Sequence, residues 1–544
     1  MKIFHKAMNR ASLIGLTALT LGLGACTKNF DLYNTDNTGV SNGQLDPDFN
    51  KLTLLRYAQR SIYNFAGGGD PNSFQLQQNL AADCFSGYLM SATPFNGGQN
   101  NLNYFLVTGW NGEAFKVGYL NVMSNIATLR SLGVDKQYPA VWAIALTTQV
   151  EAMSRITDIY GPIPYSKAGT AKTGIPYDSQ QDVYNLFFRQ LDTATAAFRD
   201  FIASNGSYPF SSTKYDATNY NGNMTQWLHF ANSLRLRLAI HISNVDPVTA
   251  KQQGELAMAP ASGGLITTNA DNFSLPTTDG GLSNPLAFIS INWADIRINA
   301  AIATYMTGYK DPRISRYMDK STDGSFAPAY EGIRIGSITS ANVKGDYQNY
   351  ASVSASSFGL KSNVTLMTAA EVYFLRAEAA LKNWSNVNGS AQSLYEAGIT
   401  TSMSQWNVAP GAYITDASSK PASYHDPKNK KNDHDSLTNT TIAWSDAATD
   451  AVKLERVITQ KWIAMFPEGQ EAWTEFRRTG YPKLFPVVNN NSGGTIDGTI
   501  QIRRLPFPQQ EYNTNGAEVQ KAITLLGNGK PDNGGTRLWW DTGK

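Results

Sequence analysis

The sequence predicts a mostly α-helical protein, built of helical hairpins and long irregular loops with a few short strands. Three observations carry that reading. Apolar residues recur at helical spacing in many separate stretches, strand-like alternation is confined to three short ones, and two long spans rich in Asn, Ser, Asp and Gly interrupt the helical runs.

The chain opens with a positive segment, Lys2, Lys6 and Arg10, and runs uncharged from Ala11 to Ala25 through mostly Leu, Ala, Gly and Thr. That is the pattern of a secretory signal over residues 1–25, too short to span a bilayer comfortably. Leu23-Gly24-Ala25-Cys26 resembles a bacterial lipobox, which makes Cys26 the first mature residue and the site of lipidation. The competing reading, a core cysteine in a buried first helix, fits poorly with the basic start and the polar turn "TKNFDLYNTDNTG" that follows. Acyl chains on Cys26 would hold an otherwise soluble protein on a membrane. With only two cysteines in the chain, Cys84 is then left without an intrachain partner. No later apolar run approaches the roughly 20 residues of a spanning helix. No Gly/Ser-rich or Pro-rich linker cuts residues 26–544, so a single domain is expected there.

Helices are expected near 50–65, 113–132, 139–159 and 179–203. In "MTQWLHFANSLRLRLAIHIS", Trp227, Ala231, Leu234, Leu238 and Ile242 form one buried stripe. "TAAEVYFLRAEAALKN" opens on Thr368 and Glu371, a capping box, and is apolar on more than one side, as in a helix packed between neighbours. Further helices are expected at 390–404 and 450–466. In "FPEGQEAWTEFRRTG", Pro467 starts a helix, Glu468 and Glu471 sit in its first turn, Arg477 and Arg478 in its last, and Gly480 stops it. Trp473 and Phe476 read as packing and Arg477 as a cap or ion pair. Consecutive helices joined by short turns suggest stacked hairpins, although no clean 34-residue repeat is visible. The strand signals are "GGLITT", "IRIGSI" and "TIQIRRLPF".

Composition narrows the chemistry. Charged residues are 16% of the chain and the formal net charge is +2, with no basic stripe, which argues against nucleic acid. Tyrosine (26) and tryptophan (11) are plentiful, and rings beside neutral hydrogen-bonding side chains suit uncharged polar ligands such as sugars. No Gly-x-Ser-x-Gly elbow, His-Glu-x-x-His pair, Walker loop or dinucleotide fingerprint occurs, so no enzyme, cofactor or metal is expected. His229 and His241 read as packing or capping. "YHDPKNKKNDHD" holds ligand-type residues, but its lysines oppose a cation, and it reads as a solvated loop. In "RITDIYGPIPYSKAG", Gly161 breaks a helix and two prolines force an extended exit. Asp158, Tyr160 and Tyr165 surround that corner, either as a rigid wedge or as the rim of a ligand site.

The lipobox, "NFDLYNTDNTGVS", "DIYGPIPYSKAG", "ANSLRLRLAIHIS", "DPRISRYM", "EVYFLRAEAAL", "KWIAMFPEGQEAWTEFRRTGYPKL" and "RRLPFPQQEY", in that order, resemble the SusD/RagB outer-membrane nutrient-binding lipoproteins of Bacteroidota, SusD-like branch. The resemblance implies four tetratricopeptide-like helix pairs as a scaffold, with irregular loops carrying a ligand site. It implies a binding protein at the cell surface, not an enzyme, that captures a glycan and delivers it to a SusC-type TonB-dependent transporter in the outer membrane. Peptide binding is the alternative within the family, and a surface glycan hydrolase the alternative outside it. The chain departs from the pattern in one place: Thr27-Lys28-Asn29-Phe30 delays the first acidic residue to Asp31. The family's sugar site is an arc of aromatics with nearby amides. Two loops here combine those types, "FNGGQNNLNYFLVTGW" with Asn100, Asn101, Tyr104 and Trp110, and "SNPLAFISINWADIR" with Asn292 and Trp293.

Replacing Cys26 with Ala should move the protein from the membrane fraction to the soluble one. Persistence in the membrane without that cysteine would overturn the lipobox reading.

Overall fold

The computed structural model describes residues 47–63, 71–170, 173–277, 281–340, 343–527 and 529–543. The signal segment 1–25, Cys26 and "NFDLYNTDNTGVS" lie outside the described residues. Contacts group the chain into two units, Met1–Lys51 and Leu52–Lys544, and the elements below belong to the second.

Eight helices make four hairpins: α1 (Pro139–Tyr160) with α2 (Gln180–Ala203), α3 (Met224–His241) with α4 (Pro247–Met258), α5 (Ala369–Leu381) with α6 (Ala391–Gln405), and α7 (Asp450–Met465) with α8 (Gly469–Thr479). Their starts follow local chemistry. Side chains of Ser179, Asn223, Asp246, Thr368, Ser390 and Thr449 each accept a hydrogen bond from a backbone N–H of the first turn. Gly161 ends α1 with φ 85°, and Gly480 ends α8 in the left-handed region. Helix α1 is buried on nearly every side, and the Trp227 stripe of α3 is inside with its neighbours. Among the described residues no helix is long and apolar enough to cross a membrane.

Several details depart from expectation. The Thr368 hydroxyl accepts from the Glu371 N–H at 3.1 Å, but the Glu371 carboxylate turns to Arg237, so only half of the capping box forms. Glu468 caps α8 from outside its first turn. "GGLITT", "IRIGSI" and "TIQIRRLPF" form no strands. Their backbones bond elsewhere: the Ile266 N–H donates to Ser233 Oγ at 2.9 Å, and Leu505 N–H to the carbonyl of Ile159 at 3.1 Å. The strands instead form three antiparallel two-stranded ribbons: β1 (Leu89–Ser91) with β3 (Ile296–Ile298), β2 (Phe273–Leu275) with β6 (Val364–Met367), and β4 (Met318–Asp319) with β5 (Ser352–Val353).

Where the hairpins meet, the core is charged. Arg237 on α3 binds both carboxylate oxygens of Glu371 on α5 at 2.8 Å and Glu151 on α1 at 3.2 Å. Arg155 joins α1 to Glu468 at 2.9 Å, Lys461 joins α7 to Glu471 at 3.0 Å, and Arg478 of α8 takes both oxygens of Glu378 on α5 at 2.7 and 2.8 Å. His241 stands between Asp158 (3.4 Å) and Glu471 (3.1 Å). His241, Glu471 and Glu475 are close enough to hold a metal ion. Lys461, 3.0 Å from Glu471 and 3.4 Å from Glu475, already places a positive charge there. Burial pushes Glu471 up, but His241, Lys461 and Arg237 outweigh it and hold the carboxyl well below its usual range.

The corner after α1 is a wedge. Asp158 Oδ1 accepts from the Tyr184 hydroxyl and the Trp540 indole, both at 2.8 Å, and the Tyr165 hydroxyl donates to Gln190 at 2.7 Å. Trp473 is fully buried and Phe476 nearly so. Arg477 is neither a simple cap nor an ion pair. Its guanidinium lies 3.6 Å from the centre of the Trp473 ring and donates to the carbonyls of Asp158 and Arg503.

His241 supplies a pH test. Burial pushes its pKa down, but Glu471 and Asp158 outweigh this and lift it to about 9. In the unfolded chain it returns to about 6.5. A raised folded value means the contribution is complete below the unfolded pKa and lost as pH climbs to the folded one. The resulting loss between those two values is on the order of 3 kcal/mol. Urea unfolding across that window should show stability falling in the wild type and a flatter profile in His241→Gln. Parallel profiles would remove the imidazolium from the account.

Candidate functional site

The β1–β3 ribbon decides which loops meet. Leu89 pairs with Ile298, Met90 with Arg297 and Ser91 with Ile296, so the chain leaving β1 and the chain entering β3 lie at the same end. Asp295 ties them together. Ser91 Oγ donates to its carbonyl at 2.6 Å and Thr93 Oγ1 to its carboxylate at 2.7 Å. Arg297 donates to the carbonyls of Ala294 at 3.1 Å and Gln348 at 2.6 Å, bringing in a third segment. Gly98 adds a second contact with that region. At φ +86° it presses on Thr339, and a Cβ there would come within 2.1 Å of the Thr339 carbonyl oxygen.

The loop after β1 is held from inside by amides. Asn100 Oδ1 accepts from the Leu102 N–H at 3.0 Å, and its Nδ2 donates to the Phe95 carbonyl at 2.8 Å. Asn101 Oδ1 accepts from the Val107 N–H at 2.9 Å, and its Nδ2 donates to Asn111 Oδ1 at 3.1 Å. Tyr104 turns inward at φ 63°, its ring edge-on to Phe85. Asn100, Asn101 and Tyr104, expected to face a ligand, are all buried. The physical reason is the loop's irregular backbone, whose N–H and C=O groups must find partners once they leave solvent.

The other expected residues face outward. Trp110 is half-buried, edge-on to Phe95 with ring centres 5.8 Å apart. Trp293 is half-buried, edge-on to Phe288 at 5.5 Å, and Asn292 is exposed. Phe105 and Ile291, about two-fifths exposed, extend the apolar surface of their loops. Sequence reasoning missed Phe95, Phe105 and Phe288, because without a regular period an outward ring cannot be told from an inward one. Beside the Trp110 turn lies a cleft of about 900 Å³, bordered by Gly109, Tyr119, Leu120, Pro164 and Pro508; Asp158, Tyr160 and Tyr165 are not on its lining. Tyr347 and Tyr350 are taken up elsewhere. Both are buried, and their hydroxyls donate to Asp426 at 2.7 and 2.8 Å. Tyr424, Asp426 and Asn432 of "YHDPKNKKNDHD" are therefore interior, while His425, Pro427, Asn429, Lys430, Lys431 and Asp435 are exposed, as a solvated loop requires. The surface offers ring edges and faces with an amide beside them, a set that grips C–H faces and hydroxyls without charge.

Residues 32–541 match the family model described as SusD-like, Susd and RagB outer membrane lipoprotein. Among solved structures, a chitin-binding SusD homolog from Flavobacterium johnsoniae is 42% identical with a TM-score of 0.84, covering 91% of this chain and 99% of its own. A SusD homolog from Bacteroides vulgatus is 38% identical at TM-score 0.84, covering 91% and 98%. A SusD-like protein from Bacteroides thetaiotaomicron is 34% identical at TM-score 0.82, covering 90% and 98%. A comparison with curated protein sequences found no match.

Asn101→Ala would leave the Val107 N–H and Asn111 Oδ1 unpaired. A stability loss of about 1–3 kcal/mol is expected in urea unfolding. A variant as stable as the wild type would mean the amide does not hold the loop.

Proposed function

The chain belongs to the SusD-like family of outer membrane lipoproteins, and from that premise we propose that it captures a glycan and passes it to a SusC-type TonB-dependent transporter. Residues 1–25 act as the signal peptide, Cys26 as the lipid anchor that keeps the protein at the cell surface, and residues 26–544 as one nutrient-binding domain. The observation that carries the ligand reading is the pair of half-buried indoles, Trp110 and Trp293, on loops brought to one end by the β1–β3 ribbon. A pyranose ring presents C–H faces that such rings bury, and its hydroxyls can bond to Asn292. Asp295, two residues from Trp293, accepts from the Thr93 hydroxyl, and Glu113, three residues from Trp110, pairs with Lys116. The Flavobacterium johnsoniae relative is described as chitin-binding, so an oligomer of N-acetylglucosamine is the first ligand to try.

The test is calorimetric titration of chito-oligosaccharides into the wild type and into Trp110→Ala/Trp293→Ala. Binding to the wild type, at least about tenfold weaker in the folded double variant, is expected. No release of reducing ends should accompany it. Unchanged affinity in the double variant would move the site elsewhere, and release of reducing ends would make the protein a hydrolase.

A further inference from the structure

A second cavity, of about 270 Å³, is bordered by β6, the end of α6 and the turn between α7 and α8. Its walls include Trp406, Phe358 and Phe466, with Phe358 packed against both other rings at 5.2 and 5.5 Å. Glu468, only 4% exposed, borders it. One oxygen of Glu468 pairs with Arg155 at 2.9 Å, and the other, Oε2, has no partner among the described residues. Gln405 Oε1, on the same lining, is unpartnered too among the described residues, whereas the Trp406 indole N–H faces the Tyr317 hydroxyl, outside the cavity.

Two buried acceptors left open on residues of one lining are costly unless something in that space completes them. One of them is a carboxylate oxygen, and the rings offer the negative faces that attract cations. Glu371 also borders the cavity, with both oxygens committed to Arg237. The volume is below the roughly 300–1,000 Å³ of drug-sized sites, which limits the occupant to about one ring.

We propose that this cavity binds a small organic ammonium ion, which donates to Glu468 Oε2 and Gln405 Oε1 and lies against Trp406, Phe358 and Phe466. The volume and the aromatic walls admit a single aminated sugar ring. Asn284 and Leu286 of the Trp293 loop border this cavity, but neither Trp110 nor Trp293 lines it, so the proposal stands or falls without the Trp110–Trp293 surface.

The probes are glucosamine, protonated at mildly acidic pH, and N-acetylglucosamine, which keeps the ring and lacks the charge. Each is titrated into the full protein and three variants. Glucosamine should bind the wild type and Trp110→Ala/Trp293→Ala alike, and N-acetylglucosamine should not compete for this cavity. Glu468→Gln should weaken glucosamine at least about tenfold. Because Glu468 also caps α8, Ser357→Trp, which plugs the half-buried rim and leaves Glu468 intact, decides the matter should Glu468→Gln unfold. No glucosamine binding, equal binding of both sugars here, or affinity untouched by Ser357→Trp would each overturn the assignment.

Discussion

Everything in this fold hangs on Arg237. Its guanidinium holds carboxylates on two other helices, and through Glu471, Lys461, Glu475 and Arg478 the same network reaches the last hairpin. A buried charge is tolerable only when paired and hydrogen-bonded, and deleting one partner of such a pair typically costs about 3–5 kcal/mol. Four hairpins joined only by apolar faces could slide past one another at modest cost. Joined by fixed donor forks and carboxylates, they lock in one register. A close approach adds to this. Gly469 opens α8 so near residues 82–85 that a Cβ would come within 2.4 Å of the Asp83 Cα.

That rigid centre lets the long loops be irregular without being loose. Each two-stranded ribbon is too short to stand alone, yet each joins segments distant in sequence and rests on the helices. Asp426 acts similarly away from the ribbons, accepting from two tyrosine hydroxyls and from Asn432 Nδ2 at 2.7 Å. Polar side chains, rather than apolar burial alone, pin the non-helical part of the chain.

The helices were legible because their periods are long and their caps local: Ser179, Asn223 and Gly480 stand where the chain itself needs them. Helix α4 escaped notice. Its apolar period is weak, and Gly254 interrupts it because a Cβ there would come within 2.1 Å of the Trp384 ring, a contact with a residue far along the chain. The ribbons were illegible for a related reason. Leu89–Ser91 is three residues long, and its partner lies some two hundred residues on. Of the proposed site, the loops were chosen for their tryptophans and amides, but the direction of each amide was not legible. An Asn that binds a sugar and an Asn that binds its own loop are the same letter. Glu468 was read as one half of a helix-dipole pattern, and nothing local says that it borders a cavity.

The loop between β1 and the following helix has two faces with different obligations. Asn100, Asn101 and Asn103 satisfy the backbone from within, while Phe95, Phe105 and Trp110 look out. The inner residues define a frame, and the outer ones are free to be exchanged while the frame holds. Substitution at the outer positions alone can therefore change what the loop presents to solvent, with the inner hydrogen bonds left in place.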